Sequence, residues 1–174
     1  MGDMEVITRI LLGQRQVLMT LGFSSLVLVP LVAVAARRAG CSWWRTASAG
    51  LAGLGTALVL AVTLGRYQDG MLLRWGRGCL LQPGLSLTSP EARLNFLLFA
   101  PACFFAVLAC RRLLPVLALT LLASLLVEAV QSVTGAGTCQ TSDIVRNVAG
   151  GGLAGLAALV LVALSRASRP VGES

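Results

Sequence analysis

The chain has 174 residues, 56% of them hydrophobic and 12% charged, about half the charged fraction of roughly 25% usual in soluble domains. That excludes a disordered chain and argues against an ordinary water-soluble domain. The net charge is +7 with no histidine; every basic residue is an arginine standing singly or in doublets between apolar runs, a flanking pattern for membrane segments rather than a contiguous nucleic-acid surface.

Residues 1–16 mix Asp3, Glu5, Arg9 and Arg15 with apolar residues and read as an amphipathic lead-in. Residues 17–36 form a run without charges, apolar but for Thr20, Ser24 and Ser25, that contains Pro30 and is ended by Arg37-Arg38. At about 1.5 Å per residue such a run crosses a hydrocarbon core of about 30 Å. Small residues near Ala33 and Ala35 would allow a cleaved leader. The acids ahead of the run and the arginine doublet behind it favour a retained span.

Trp43, Trp44 and Arg45 fit an interfacial anchor before a second span at 47–64. That span is rich in Ala and Gly, and Gly53 and Ala57 make a small-xxx-small face for close helix approach. Residues 65–88 alternate polar and apolar side chains and suit a segment lying on the interface. Ser89-Pro90-Glu91 is a helix start, with Ser89 as cap, Pro90 in the first turn and Glu91 on the positive helix end. The third span covers 94–110, and Pro101 should kink it because the Leu97 carbonyl loses its donor. The fourth covers 113–133. A tight loop follows, then a fifth helix capped by Thr141 or Ser142, with its span at 144–164.

The expected fold is therefore all-α: one polytopic membrane domain over residues 1–174, with about five transmembrane helices and an interfacial segment between helices 2 and 3. Five spans put the termini on opposite sides. With the N-terminus outside, Arg37, Arg38, Arg45, Arg111, Arg112, Arg166 and Arg169 face the cytoplasm and the other seven arginines face out, a tie by count. Both doublets then sit at cytoplasmic helix ends, which favours that orientation in a cell membrane.

Polar residues at membrane depth are costly and mark candidate functional sites. Ser124, Glu128 and Gln131 are four and three residues apart and share a face of the fourth helix. Asp143 and Asn147 share a face of the fifth, continued by Gly151 and Gly155 as GxxxG, a packing motif. Alternating helix direction brings the start of helix 3, the end of helix 4 and the start of helix 5 to one membrane side. Arg93, Asn95, Glu128, Gln131, Asp143 and Asn147 then form one candidate ligand-binding polar cluster. The competing reading is packing glue, with Glu128 paired to Arg93 or Arg146. No CxxC occurs among Cys41, Cys79, Cys103, Cys110 and Cys139, so no metal or other cofactor is expected. Cys79 and Cys139 fall on the cluster's side, where a disulfide would staple the interfacial segment to the helix 4–5 loop; the alternative is two free thiols.

Three stretches resemble the VanZ-like family. Asn95-Phe-Leu-Leu-Phe99-Ala-Pro101 resembles its N-x-L-x-F-x-P element. Ser124-Leu-Leu-Val-Glu128-Ala-Val-Gln131 resembles its S-x-x-x-E-x-x-Q helix, and Asp143-Ile-Val-Arg-Asn147-Val-Ala-Gly150 its D-x-x-x-N-x-x-G element. The order and spacing match over about residues 89–160. Two departures stand out. The loop ahead of Asp143 lacks the Arg usual in the family, and Ala102-Cys103 replace the Gly usual after the Pro. The resemblance implies a small integral membrane protein associated with tolerance to the glycopeptide antibiotic teicoplanin.

Three functional classes follow. The first is a non-enzymatic envelope protein whose outer polar cluster takes a lipid headgroup, a cell-wall precursor or an amphiphilic antibiotic. The second is a membrane-embedded enzyme for a lipid-linked substrate, with Glu128 and Asp143 as an acid–base pair. The third is a transporter component or proton relay on Glu128. Beyond the bilayer and such ligands, no nucleic-acid partner is expected, and the sequence leaves the oligomeric state open.

Overall fold

The structure is a computed structural model that describes residues 14–65, 80–82, 84–134 and 139–168. Among these, the secondary structure is helical: α1 Arg15–Arg38, α2 Trp43–Leu64, α3 Pro90–Leu98, α4 Ala100–Cys110, α5 Leu113–Thr134 and α6 Thr141–Ala167. With α3 and α4 counted as one membrane crossing, five helical segments are long and apolar enough to span. Residues 1–13 of the expected lead-in and most of the interfacial segment lie outside the described residues, while Arg15 and Gln16 already belong to α1.

The break between α3 and α4 falls at Phe99, two residues before Pro101. It is the kink the proline dictates, since Pro101 cannot donate to Leu97 and its ring crowds the preceding turn. Ser89 caps α3 as expected, its hydroxyl accepting from the Ala92 amide at 3.1 Å. The start of α6 differs from expectation. Gln140 is the cap residue and no side chain caps the helix. Thr141 instead accepts the Gln82 amide at 3.1 Å, and its own amide donates to the Leu80 carbonyl at 3.2 Å. A neighbouring strand-like segment outcompetes the local cap: Leu80 and Gln140 form a parallel bridge.

The helices pack in the order α1, α2, α4, α6, with α5 and α3 both leaning on α6 and α5 touching α4 only lightly. The apolar core lies between α2, α4, α5 and α6 and includes Val59, Val107, Val116 and Ala158. Two short turns close the face where the arginine doublets gather. Gly40 and Arg111 both take left-handed backbone, at φ 74° and 59°. Arg45 ties these turns together, donating from Nε to the Ala109 carbonyl at 2.6 Å. Trp43 and Trp44 start α2 as exposed rings with centroids 4.5 Å apart.

Candidate functional site

On the opposite face, the end of α5 meets the start of α6. Ser124 and Glu128 lie one turn apart on α5, and both are buried, at 0% and 4% exposure. Helical periodicity turns them the same way, toward α6. Asn147, at 3% exposure, answers from one turn inside α6 and donates from Nδ2 to Ser124 Oγ at 2.8 Å. Its Oδ1 is buried and has no hydrogen-bond partner.

Glu128 accepts one hydrogen bond, from the Gln140 amide at 2.9 Å. Gln140 is the α6 cap residue, so the carboxylate helps satisfy the free amides at the helix start and sits on its positive end. Among the described residues no cation pairs with Glu128. The pairing with Arg93 or Arg146 considered from sequence is not formed. Arg146 turns to Asp143 instead, with Nη1 2.6 Å from Oδ1, and also donates to Ser142 Oγ at 3.2 Å and to the Ser86 carbonyl at 3.1 Å. The reason is local. Asp143 and Arg146 are three apart on one helix and need no chain movement to meet.

Arg93 is exposed and donates to the Thr88 carbonyl at 3.1 Å, at the rim of its own connection. Asn95 and Gln131 are half-buried, and among the described residues neither hydrogen-bonds to the cluster. The structure thus links Glu128, through Gln140 and Ser142, to the Asp143–Arg146 pair, holds Asn147 in a separate pair with Ser124, and leaves Arg93, Asn95 and Gln131 around them. Ser142 at 1% exposure and the backbone of Gln140 belong to the first of these and were missed as members. The Asp143–Arg146 spacing carried a readable signal. The Gln140 amide did not, because any residue supplies one.

Cys139 is disulfide-bonded, while Cys41, Cys103 and Cys110 are free thiols. Cys79, the partner expected from sequence, lies outside the described residues. Cys139 adjoins Gln140, so its bond anchors the backbone that presents an amide to Glu128.

Glycine sets how closely α6 approaches its neighbours. A Cβ at Gly150 would fall on the Phe96 carbonyl oxygen of α3. At Gly151 it would meet Cys103 Sγ at 2.7 Å, and at Gly155 Leu113 Cδ1 at 2.6 Å. Gly150, outside the GxxxG pair, makes the backbone contact.

Fold and site together define a multi-pass helical membrane protein with a knot of buried polar side chains where its last two spans meet. The VanZ/LLP1 family model matches residues 6–163, and the chain belongs to that family. No curated protein and no solved structure gives a significant match.

Proposed function

We propose that this is a non-enzymatic membrane protein of the cell envelope whose polar cluster holds the head of an amphiphile at the outer face and so contributes to tolerance of teicoplanin-type glycopeptides. The N-terminus lies outside and the C-terminus in the cytoplasm. The ligand is a lipid headgroup, a cell-wall precursor or an amphiphilic antibiotic. One observation carries this reading: the cluster has acceptors in surplus. Among the described residues Glu128 receives a single backbone amide, and Asn147 Oδ1 receives no donor. Buried acceptors without donors are expensive, and such an arrangement suits a donor-rich head bearing hydroxyl, amide or amine groups. The family membership supports the envelope setting. An acid–base pair is less well supported, because Asp143 is already committed to Arg146 at 2.6 Å.

The test is genetic. Deletion of the gene, and separately Glu128→Ala in an otherwise intact chain, should each shift susceptibility to teicoplanin-type glycopeptides. Unchanged susceptibility in both strains, with the variant protein present at normal level in the membrane, would sink the proposal.

A further inference from the structure

A second feature owes nothing to the polar cluster. A cleft of about 500 Å³ runs between α2 and α5 with α4 as its floor. From Ala52 to Leu64 on α2 and from Val116 to Val130 on α5 it follows the helices for roughly 20 Å at the helical rise. That is about two-thirds of a hydrocarbon core of about 30 Å, enough to take the chain depth of the whole of one leaflet. Its rim carries Leu64, Leu119, Leu122 and Leu126, all exposed. The opening therefore faces sideways into lipid rather than toward water.

The wall carries three polar side chains, and each is already satisfied elsewhere. Thr56 Oγ1 donates to the Ala52 carbonyl at 2.9 Å. Thr120 Oγ1 donates to the Val116 carbonyl at 2.9 Å and lies 3.0 Å from Cys103 Sγ. An occupant thus needs no polar partner along this length. Width then separates a chain from a helix. Even the full empty volume of about 1220 Å³, spread over roughly 20 Å, makes a channel no more than about 9 Å across, whereas a helix with side chains needs about 10–12 Å. The cleft volume of about 500 Å³ also falls within the range of about 300–1,000 Å³ usual for ligand sites.

We infer that the α2–α5 cleft is a binding site for one acyl chain of a bilayer lipid, taken from the leaflet on the polar-cluster side. Leu64, Phe99 and Val130 line the end of the cleft nearest that face, and Val127, next to Glu128, lines it as well. The chain enters between α2 and α5 and lies along Ala102 and Ala106 of α4. The lipid head stays at the face where Glu128 sits.

The test uses the full chain in nanodiscs containing phosphatidylglycerol with a photoactivatable diazirine near the end of one acyl chain. Adducts should concentrate on cleft residues such as Leu60 and Leu119 over Met19 and Phe23 on the exposed face of α1. In the double variant Ala106→Phe with Ala123→Phe, cleft adducts should fall to the level found on α1, because the added rings occupy the space the chain needs. Adducts on α1 should not change. Thr56→Phe, at an exposed rim position, gives the same reading should the double variant fail to fold. Equal labelling of cleft and α1 in the parent chain would overturn the site, as would unchanged cleft labelling in a folded filled variant. None of these readouts depends on antibiotic susceptibility, so this site and the proposed role of the polar cluster stand or fall separately.

Discussion

The seam along α6 and the cleft between α2 and α5 cross the same bilayer, yet they pack in opposite ways. Along α6 the contact surface is made of Gly150, Gly151, Gly155 and Asn147, all buried. The neighbouring backbone comes close enough that Gly150 leaves no room for a Cβ against Phe96. Along the cleft the surface is largely Leu, Val and Ala, and Leu119, Leu122 and Leu126 remain exposed while α5 touches α4 only lightly. In water both surfaces would collapse. In lipid the tails are as apolar as leucine, so leucine gains nothing by leaving them, and helices join through small residues and polar contacts instead. The difference shows which helix faces hold this fold together and which stay open to a ligand.

The seam is the place to break first. Gly150→Val puts two methyl groups and a Cβ where the Phe96 carbonyl lies, and backbone cannot rotate away as a side chain would. The expected loss is about 3 kcal/mol or more, at the upper end of overpacking effects. Reversible unfolding in mixed detergent micelles would measure it. Gly152→Ala is the control on the same helix. Its Cβ would meet Leu117 Cδ2 at 3.6 Å, an ordinary contact, and helix propensity should make it neutral or up to about 1 kcal/mol stabilising. Similar losses at both positions would mean that α6 does not rest on a glycine seam.

Glu128 stands where seam and cleft meet, and its replacement should cost less. Glu128→Leu strands the Gln140 amide beside a newly apolar side chain, at about 1–3 kcal/mol for a buried donor left without an acceptor. Glu128→Gln keeps an acceptor oxygen and should recover most of that loss. The Gln140 amide reports directly: its hydrogen exchange should speed up in Glu128→Leu and stay near the parent rate in Glu128→Gln. Equal exchange in all three proteins would remove the carboxylate from any role at the start of α6.

The sequence was most legible where membrane physics leaves few choices. Runs of about 20 apolar residues, Pro101 and the Ser89-Pro90-Glu91 start placed the spans, the kink and one cap close to their observed positions. Helix direction alone brought the polar residues to a common membrane face. Pairing within that group was not legible. Glu128 looked like the partner of an arginine, but its donor is the backbone amide of Gln140, held by an isolated bridge to Leu80 and next to the Cys139 disulfide. The bridge joins positions sixty residues apart, and no local spacing announces it. The resemblance marked Gly150 as the last residue of the D-x-x-x-N-x-x-G element, but not why a glycine is needed there: the neighbour on α3 that leaves no room for a Cβ is set by tertiary packing.

The smallest expected effect lies in the cleft. Leu122→Ala removes a large side chain from a surface that is already open, so no cavity is created and the transfer is from lipid to lipid. Its cost should fall within about 0.5 kcal/mol, as for an exposed substitution. Val107→Ala, by contrast, truncates a side chain that is 0% exposed in the core and must leave a void. Measured in lipid-free detergent, the two should differ clearly. Nanodiscs sharpen the comparison. With an acyl chain seated against Leu122, truncation there removes contacts with a held lipid, and the cost should rise above its detergent value. With the cleft merely bathed in exchanging lipid, the two values should coincide. The ratio of the Leu122→Ala cost in the two media thus separates a leucine face that simply borders the bilayer from one that grips part of it.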